Sequence, residues 1–346
     1  MIGPDFSVVG GMTSLNRMIM EESSDTVSIK FSPSMHQRRL FGRASLWIRN
    51  IVSAPIIRAT KPPDIVHIHV STGLSIWRKT SIGNLWNLLG IPVVYHTHGS
   101  KIKDYIGNSS ILTRKIIGRR FRKAAMIVAL SEGWKEWYSD TLGLDSKRVS
   151  VIPTPIIIPE RERLRKGVDF LYSGLMGDRK GTFDLIKAWS LIPDDERGCI
   201  QLHLIGNGKV REASNLVDKL GIGDSCIVHG WVSEKEKEDL MGRCGVYVLP
   251  SYNEGLPMGL LEAMAWGLAP ISSNVGAIPE VISDGENGIL VGAGEIEDLS
   301  LAIRKMIENP EEVDRMSEMA RQTAENHEWT MYFEKLINTW KEILEH

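Results

Sequence analysis

The 346-residue chain has no apolar run of about 18 residues, the length a helix needs to cross the hydrocarbon core of a bilayer. A membrane-spanning helix is therefore not expected. The opening MIGPDFSVVGG has no basic stretch followed by an apolar one, so no secretory signal is expected either. Cysteine is scarce. Cys199, Cys226 and Cys244 stand apart in apolar surroundings, which excludes a disulfide framework and suits reduced thiols in a cytoplasmic protein. Acids are nearly missing from Thr26 to Ser131, where only Asp64 and Asp104 occur. No short repeat or low-complexity segment is present.

The length suits two domains of ordinary size. Charge is divided unevenly between them. Up to Pro159 there are 21 Lys and Arg against 10 Asp and Glu, and beyond it 20 against 33. Two basic clusters interleave cations with apolar residues: HQRRLFGRASLWIRN (36–50) and LTRKIIGRRFRKAA (112–125). Such patterning suits peripheral association with an anionic membrane, at about 1 kcal/mol per basic residue. The competing reading is a solvated basic helix. Nucleic acid is not an expected partner, because no base-reading motif accompanies the charge.

Short β-branched runs alternate with longer amphipathic ones, the pattern of a parallel, doubly wound α/β sheet. The first series of expected strands is VSIKF (27–31), IVHIHV (65–70), PVVYHT (92–97), MIVAL (126–130) and VSVI (149–152). The second is DFLYS (169–173), IQLHLI (200–205), CIVHG (226–230), VYVL (246–249), APISS (269–273) and GILV (288–291). Prolines 153, 155 and 159 mark the junction between the series. The closing WTMYFEKLINTWKEILEH carries Trp329, Phe333, Leu336, Trp340 and Leu344 at helical spacing.

The most informative stretch is VYVLPSYNEGLPMGLLEAMAWGLAPISSNVGAIPEVISDGENGILV (246–291). A strand ends at Pro250, a polar loop follows, and Gly255-Leu256-Pro257 leads into a helix. Pro257 suits the first helical position, where its missing N–H costs nothing. The helix start offers free N–H groups to a phosphate or a sugar hydroxyl. Glu254 and Glu262, separated by seven residues, can both face the mouth of the strand above. With its glycines, prolines and small residues in register, this stretch resembles the retaining, nucleotide-sugar-dependent glycosyltransferases of family 4. That resemblance implies the GT-B fold, two Rossmann-like doubly wound domains facing a central cleft. It implies an N-terminal acceptor-binding domain (1–159), a nucleotide-sugar-binding domain (160–326) and a last helix (327–346) crossing back to the first. The resemblance also implies a full apolar strand before Gly10-Gly11, and MIGPDF holds little of one, so the first strand is expected to be truncated.

Further motifs extend the resemblance. FLYSGLMGDRKGTFDLIKAW (170–189) is similar to the family's strand, glycine turn, cationic pair and helix, with Gly174 at the turn. Arg179 and Lys180 would offset leaving-group charge on a diphosphate. The family's arginine directly after that glycine is Leu175 here, so one cationic contact is missing unless Arg179 replaces it. LHLIGNGKVRE (202–212) places Gly206 in a turn near the nucleotide, and Gly230-Trp231-Val232 resembles the loop against the base. Gly10 and Gly11 would let the backbone approach the donor phosphate. Two H-x-H pairs, His67 with His69 and His96 with His98, could each face one way from a strand. Zinc at such a pair is one reading. The other is core or strand-end histidines, with His98 of YHTHGS touching the donor sugar, as the resemblance implies. No D-x-D occurs, so no metal and no cofactor are expected.

The expected activity is metal-independent, retaining transfer of a sugar from a nucleotide diphosphosugar, a UDP-sugar before a GDP-sugar, to a lipid-linked saccharide. The setting would be bacterial cell-surface polysaccharide assembly at the inner membrane face. Glu254, His98, Lys180 and Arg179 would carry the chemistry. Glu262 would hold the ribose, with Gly255, Leu256, Pro257 and Met258 around the sugar or phosphate. Two other readings stay open. One is a GT-B epimerase or phosphorylase, and the other an inactive nucleotide-sugar-binding protein.

Overall fold

The computed structural model describes residues 1–8, 11–22, 27–35, 40–98, 101–160 and 167–345, and for 40–43 the backbone alone. Gly10, residues 161–166 of the junction between the two series and the start of the first basic cluster lie outside these residues. The chain divides into two compact units, Met1–Pro153 with Thr330–His346, and Thr154–Trp329.

The first unit runs β1 (Ile2–Pro4), α1 (Gly11–Glu21), β2 (Ser32–Met35), α2 (Leu40–Thr60), β3 (Val66–Val70), α3 (Leu74–Leu88), β4 (Val93–Thr97), α4 (Lys101–Gly107), α5 (Ile111–Phe121), β5 (Met126–Ala129), α6 (Glu132–Leu142) and β6 (Val149–Val151). Its sheet is all parallel, in the order β2-β1-β3-β4-β5-β6. Residues of β3, β4 and β5 are buried throughout. That is why these strands read as continuous apolar runs rather than alternating ones.

One expectation changes here. The first strand, expected to be truncated, spans three residues, and β1 pairs with both β2 and β3. VSIKF is not a strand. The register sets Ile2 opposite Ser32 and Pro4 opposite Met35, so the ladder falls on SPSM instead. Pro33 is tolerated because β2 is the sheet edge, and its carbonyl accepts from Asn50 Nδ2 at 3.2 Å.

The second unit runs β7 (Phe170–Ser173), α7 (Thr182–Ser190), α8 (Asp194–Arg197), β8 (Leu202–Ile205), α9 (Val210–Leu220), β9 (Cys226–Gly230), α10 (Glu234–Arg243), β10 (Val246–Leu249), α11 (Met258–Ala265), β11 (Ala269–Ser273), β12 (Ile289–Val291), α12 (Ile296–Glu308) and α13 (Pro310–Glu325). Its parallel sheet has the order β12-β11-β10-β7-β8-β9. The order reverses between β7 and β10, the kind of switch point outside whose strand ends open α/β sheets bind ligands. Phe170, Tyr172, Trp189 and Tyr247 fill the core around it.

The last helix, α14 (Trp329–Glu345), packs from Thr330 onward with the first unit. Its buried face is Tyr332, Leu336 and Thr339, whereas Leu344 is exposed. The expected stripe is thus rotated by part of a turn. Hydrogen bonds fix that phase, with Thr339 Oγ1 3.2 Å from Ser150 Oγ and Trp340 Nε1 donating to His67 Nδ1 at 3.1 Å.

Candidate active site

The loops after β7 and β10 interlock, and this places the charged residues of the second unit. After β7, Thr182 Oγ1 donates to the Tyr172 hydroxyl at 2.9 Å and accepts from Gly177 N at 3.0 Å. These bonds close the turn that carries Asp178–Lys180. Gly181 ends it in the left-handed region, at φ 66°, and a Cβ there would stand 2.0 Å from the Pro250 carbonyl oxygen. Only glycine fits that approach. Arg179 then binds the second loop from both ends: its carbonyl accepts from Tyr252 N at 2.9 Å, and its guanidinium donates to the Asn253 carbonyl at 3.0 Å.

Glu254 sits at the centre of this junction and is 8% exposed. Lys180 Nζ lies 2.5 Å from its carboxylate and Arg179 3.6 Å. A buried carboxylate needs such partners, because removing it from water costs several kcal/mol otherwise. The backbone of Glu254 is held from the other side by Gly276. At φ 65° a Cβ on Gly276 would meet the Glu254 carbonyl oxygen at 2.1 Å. Ala277 N donates to the Gly255 carbonyl at 2.8 Å.

Pro257 is the cap of α11 rather than its first residue. Its ψ of 122° is extended, and its carbonyl accepts from Leu260 and Leu261 N. It has no N–H to offer a ligand. Those donors are Gly255, Leu256, Met258 and Gly259, the last two in the first helical turn, where no intrahelical carbonyl can reach them. Glu262 follows one turn into α11. Its carboxylate is paired with Lys237 of α10, which also lies 3.3 Å from Glu234. Burial pushes the Glu262 carboxyl above its usual range, and Lys237 opposes that rise. The Ser233–Glu236 capping box starts α10 and so sets where Lys237 stands.

Leu175, where an arginine was expected, is 56% exposed, and its carbonyl accepts from the Tyr172 hydroxyl at 3.3 Å. Gly174 and Gly206 are in intimate contact. A Cβ on Gly206 (φ 132°) would stand 1.9 Å from the Gly174 carbonyl oxygen. Their glycines therefore let two loops pack together. Trp231 is 68% exposed beside the half-buried Val232 at the end of β9.

In the first unit, Gly11 opens α1 and is exposed. The four histidines of the H-x-H pairs come together, because β3 and β4 are neighbours with His69 opposite His96. His67 Nε2 is 3.2 Å from His96 Nδ1, and His69 Nδ1 is 2.8 Å from His98 Nε2. Burial lowers all four, His98 to about 3, so they are neutral at pH 7. His67, His69 and His96 each place a ring nitrogen within 4.8 Å of the others'. The Trp340 indole decides against a three-histidine metal site. It donates to His67 Nδ1, so His67 carries its proton on Nε2, the atom facing His96.

Two family patterns match in succession. The one described as "Glycosyltransferase Family 4" covers residues 20–158, and "Glycosyl transferases group 1" covers 156–323. The chain belongs to the family 4 glycosyltransferases. Relatives of this glycosyltransferase include an uncharacterized glycosyltransferase of Haemophilus influenzae, 29% identical over 226 residues, which are 63% of this chain and 60% of that one. An uncharacterized glycosyltransferase of Methanocaldococcus jannaschii is 28% identical over 276 residues, 77% and 72% of the two chains. Among solved structures, the lipopolysaccharide outer core galactosyltransferase WaaB superposes with a TM-score of 0.70 at 24% identity, covering 98% of this chain and 97% of that one. Anabaena HepE in complex with UDP gives 0.76 at 15% identity, covering 99% and 98%. The shared fold is the GT-B type, with two Rossmann-like α/β units.

Sequence reasoning did not find Gly276 or Lys237 in this glycosyltransferase. Gly276 and Lys237 act through loops and helices distant in sequence, and nothing local marks them.

Proposed function

We propose that this glycosyltransferase moves a sugar from a nucleotide diphosphosugar, a UDP-sugar in the first instance, to a hydroxyl of a lipid-linked saccharide with retention of configuration. The observation that carries the reading is the buried Glu254–Lys180 pair with Arg179 beside it, at the strand ends where the sheet order reverses. The UDP complex of the similarly folded HepE agrees with a nucleotide donor.

Without ligand, Glu254 neutralises Lys180. A donor diphosphate competes for Lys180 and Arg179, and these cations then offset charge as the nucleotide leaves. No step requires a metal. Glu254, released from Lys180, accepts from a sugar hydroxyl. Glu262 accepts from the ribose hydroxyls, while Trp231 and Val232 border the base and Gly174 and Gly206 the phosphates. N–H groups of Gly255, Leu256 and Met258 hold the sugar or phosphate at the helix start. His98, neutral at pH 7, is the first unit's proposed hydrogen-bond partner for a sugar hydroxyl, and Gly11, at the start of α1, its proposed contact to a phosphate. The acceptor attacks from the face the nucleotide leaves.

Peripheral association with the inner face of the cell membrane belongs to the same proposal. On α2, Ile48, Val52 and Ile56 are exposed at four-residue spacing beside Arg49 and Arg58. On α5, Ile111, Leu112 and Ile116 are exposed beside Lys115 and Arg119. Equal flotation with neutral and anionic vesicles at low salt would remove this part.

A thermal-shift panel with UDP, GDP, ADP and CMP, each in EDTA, tests the donor. A ligand at 100 times its dissociation constant adds about 2.7 kcal/mol of apparent stability. A shift with UDP alone supports the reading, and no shift with any nucleotide defeats it. Proton NMR of the first-formed product gives the anomeric configuration, and an inverted product would overturn retention.

A further inference from the structure

A cleft of about 630 Å³ lies in the second unit between the start of α7, the start of α9 and the loop after β10. Its volume falls within the range of about 300–1,000 Å³ typical of ligand sites. α7 contributes Phe183, Asp184 and Lys187, which share a face at helical spacing. α9 contributes Glu212 and Leu216, one turn apart. Tyr252 comes from the loop after β10, and Arg179 from the turn after β7. Among the described residues, Arg179 is the only proposed donor contact that lines this cleft.

Tyr252 is 47% exposed, yet it is held at both ends. Its N–H donates to the Arg179 carbonyl at 2.9 Å, and its hydroxyl to the Asp184 carboxylate at 2.9 Å. An exposed ring fixed in this way offers a surface with little rotamer freedom left to lose. Phe183 borders the same cleft, with Lys209 Nζ 5.6 Å from its ring centre. The charges here are already answered. Lys187 lies 3.5 Å from Asp184, Lys209 2.6 Å from Asp178, and Arg179 3.6 Å from Glu254. An anion entering the cleft would meet Asp178, Asp184 and Glu212, and a cation would meet Arg179 and Lys187. Neither sign of charge is called for.

We infer that this cleft is a saccharide subsite of the second unit, separate from the donor pocket, whose ligand is a short uncharged oligosaccharide. A sugar hydroxyl both donates and accepts, so one ring can meet carboxylates and cations together. The C–H face of a pyranose is apolar and lies flat against an aromatic ring, here Tyr252 or Phe183. Asp184 and Glu212 accept from the hydroxyls, Lys187 donates to them, and Leu216 adds apolar area. The proposed transfer needs no saccharide at this place. Arg179 makes the two sites neighbours, because it lines the cleft and also stands beside Glu254.

The test is saturation-transfer NMR of the full chain with maltotriose, cellotriose and triacetylchitotriose at millimolar concentration, each with and without UDP. The expected result is saturable binding of at least one trisaccharide, unaltered by UDP. Phe183→Ala should weaken it roughly tenfold. Leu216→Trp, which fills the cleft, should abolish it while the UDP thermal shift persists. Glu212 is exposed, so Glu212→Gln leaves the packing intact and should still weaken the same trisaccharide several-fold. Unchanged binding in all three variants overturns the inference, because the sugar then sits elsewhere. Displacement of the trisaccharide by UDP overturns it as well, by placing the sugar in the donor pocket, and so does a folded wild type that binds none of the three. A UDP shift with no trisaccharide bound would sink this site and leave the proposed function standing. Trisaccharide bound in the cleft with no shift from any nucleotide would do the reverse.

Discussion

Replacing Lys180 by Met leaves the Glu254 carboxylate buried without its nearest cation. At 2.5 Å this contact is the closer of the two that Glu254 makes. Breaking a buried pair by removing one member typically costs about 3–5 kcal/mol. Arg179 stands 3.6 Å away with a side chain 40% exposed, so it can move in and recover part of the loss. The expected cost is therefore about 2–3 kcal/mol at pH 7. Glu254→Gln should cost less, about 1–2 kcal/mol, because Lys180 keeps a flexible stem that can turn toward water. The double variant should be more stable than the sum of the two losses, by a coupling of about 2 kcal/mol. Urea unfolding followed by amide exchange in residues 250–258 measures this in the unit that holds the pair. Additive losses, within about 0.5 kcal/mol, would mean that the contact contributes nothing and that the charge argument for this site is wrong.

Gly276→Ala should cost at least about 2 kcal/mol and lower kcat with the fold retained, because the new methyl displaces the Glu254 carbonyl; unchanged kinetics would refute the close approach. Lys237→Met should raise the Glu262 carboxyl further. Its folded-state value is already above the unfolded one, so the carboxyl disfavours folding as pH rises through that range, and the variant should lose stability and donor affinity most at high pH. A donor KM that does not change with pH in the variant would contradict this. The four buried histidines lie below their unfolded value, so their contribution is present above about pH 6.5 and lost on acidification toward the folded values. Each proton taken up on unfolding adds about 1.4 kcal/mol per pH unit to that slope, and a flat denaturation midpoint from pH 7 to 5 would disprove their burial as neutral rings.

Ten of the eleven strands expected from apolar runs coincide with observed ones to within two residues at either end. Six of those strands, β3, β4, β5, β8, β10 and β11, are buried throughout, so their signal is continuous and strong. VSIKF failed for a physical reason. Its apolar content marks a strand, but the ladder is set by Ile2–Pro4, three residues that carry no such signal. The rotated face of α14 failed for the same kind of reason, since Thr339 is buried by a hydroxyl contact that hydrophobic spacing ignores. Within the site, Glu254, Lys180 and Arg179 were legible as residues, and the sequence could not show that they meet. His98 and His69 were legible as alternating strand positions. Their joining to His67 and His96 depended on which strands are neighbours.

The placement of α14 has a consequence for how the protein is made. Ribosomal synthesis usually lets the first domain fold before the next emerges. Here the first unit is interrupted: its last helix arrives only after all of Thr154–Trp329 has been synthesised. The contiguous second unit can complete its core while the earlier part still lacks Tyr332, Leu336 and the Trp340 indole that caps His67. The order of maturation is thus expected to run against the order of translation. Until α14 emerges, the nascent chain would carry an unfinished, basic first unit with its histidine cluster uncovered.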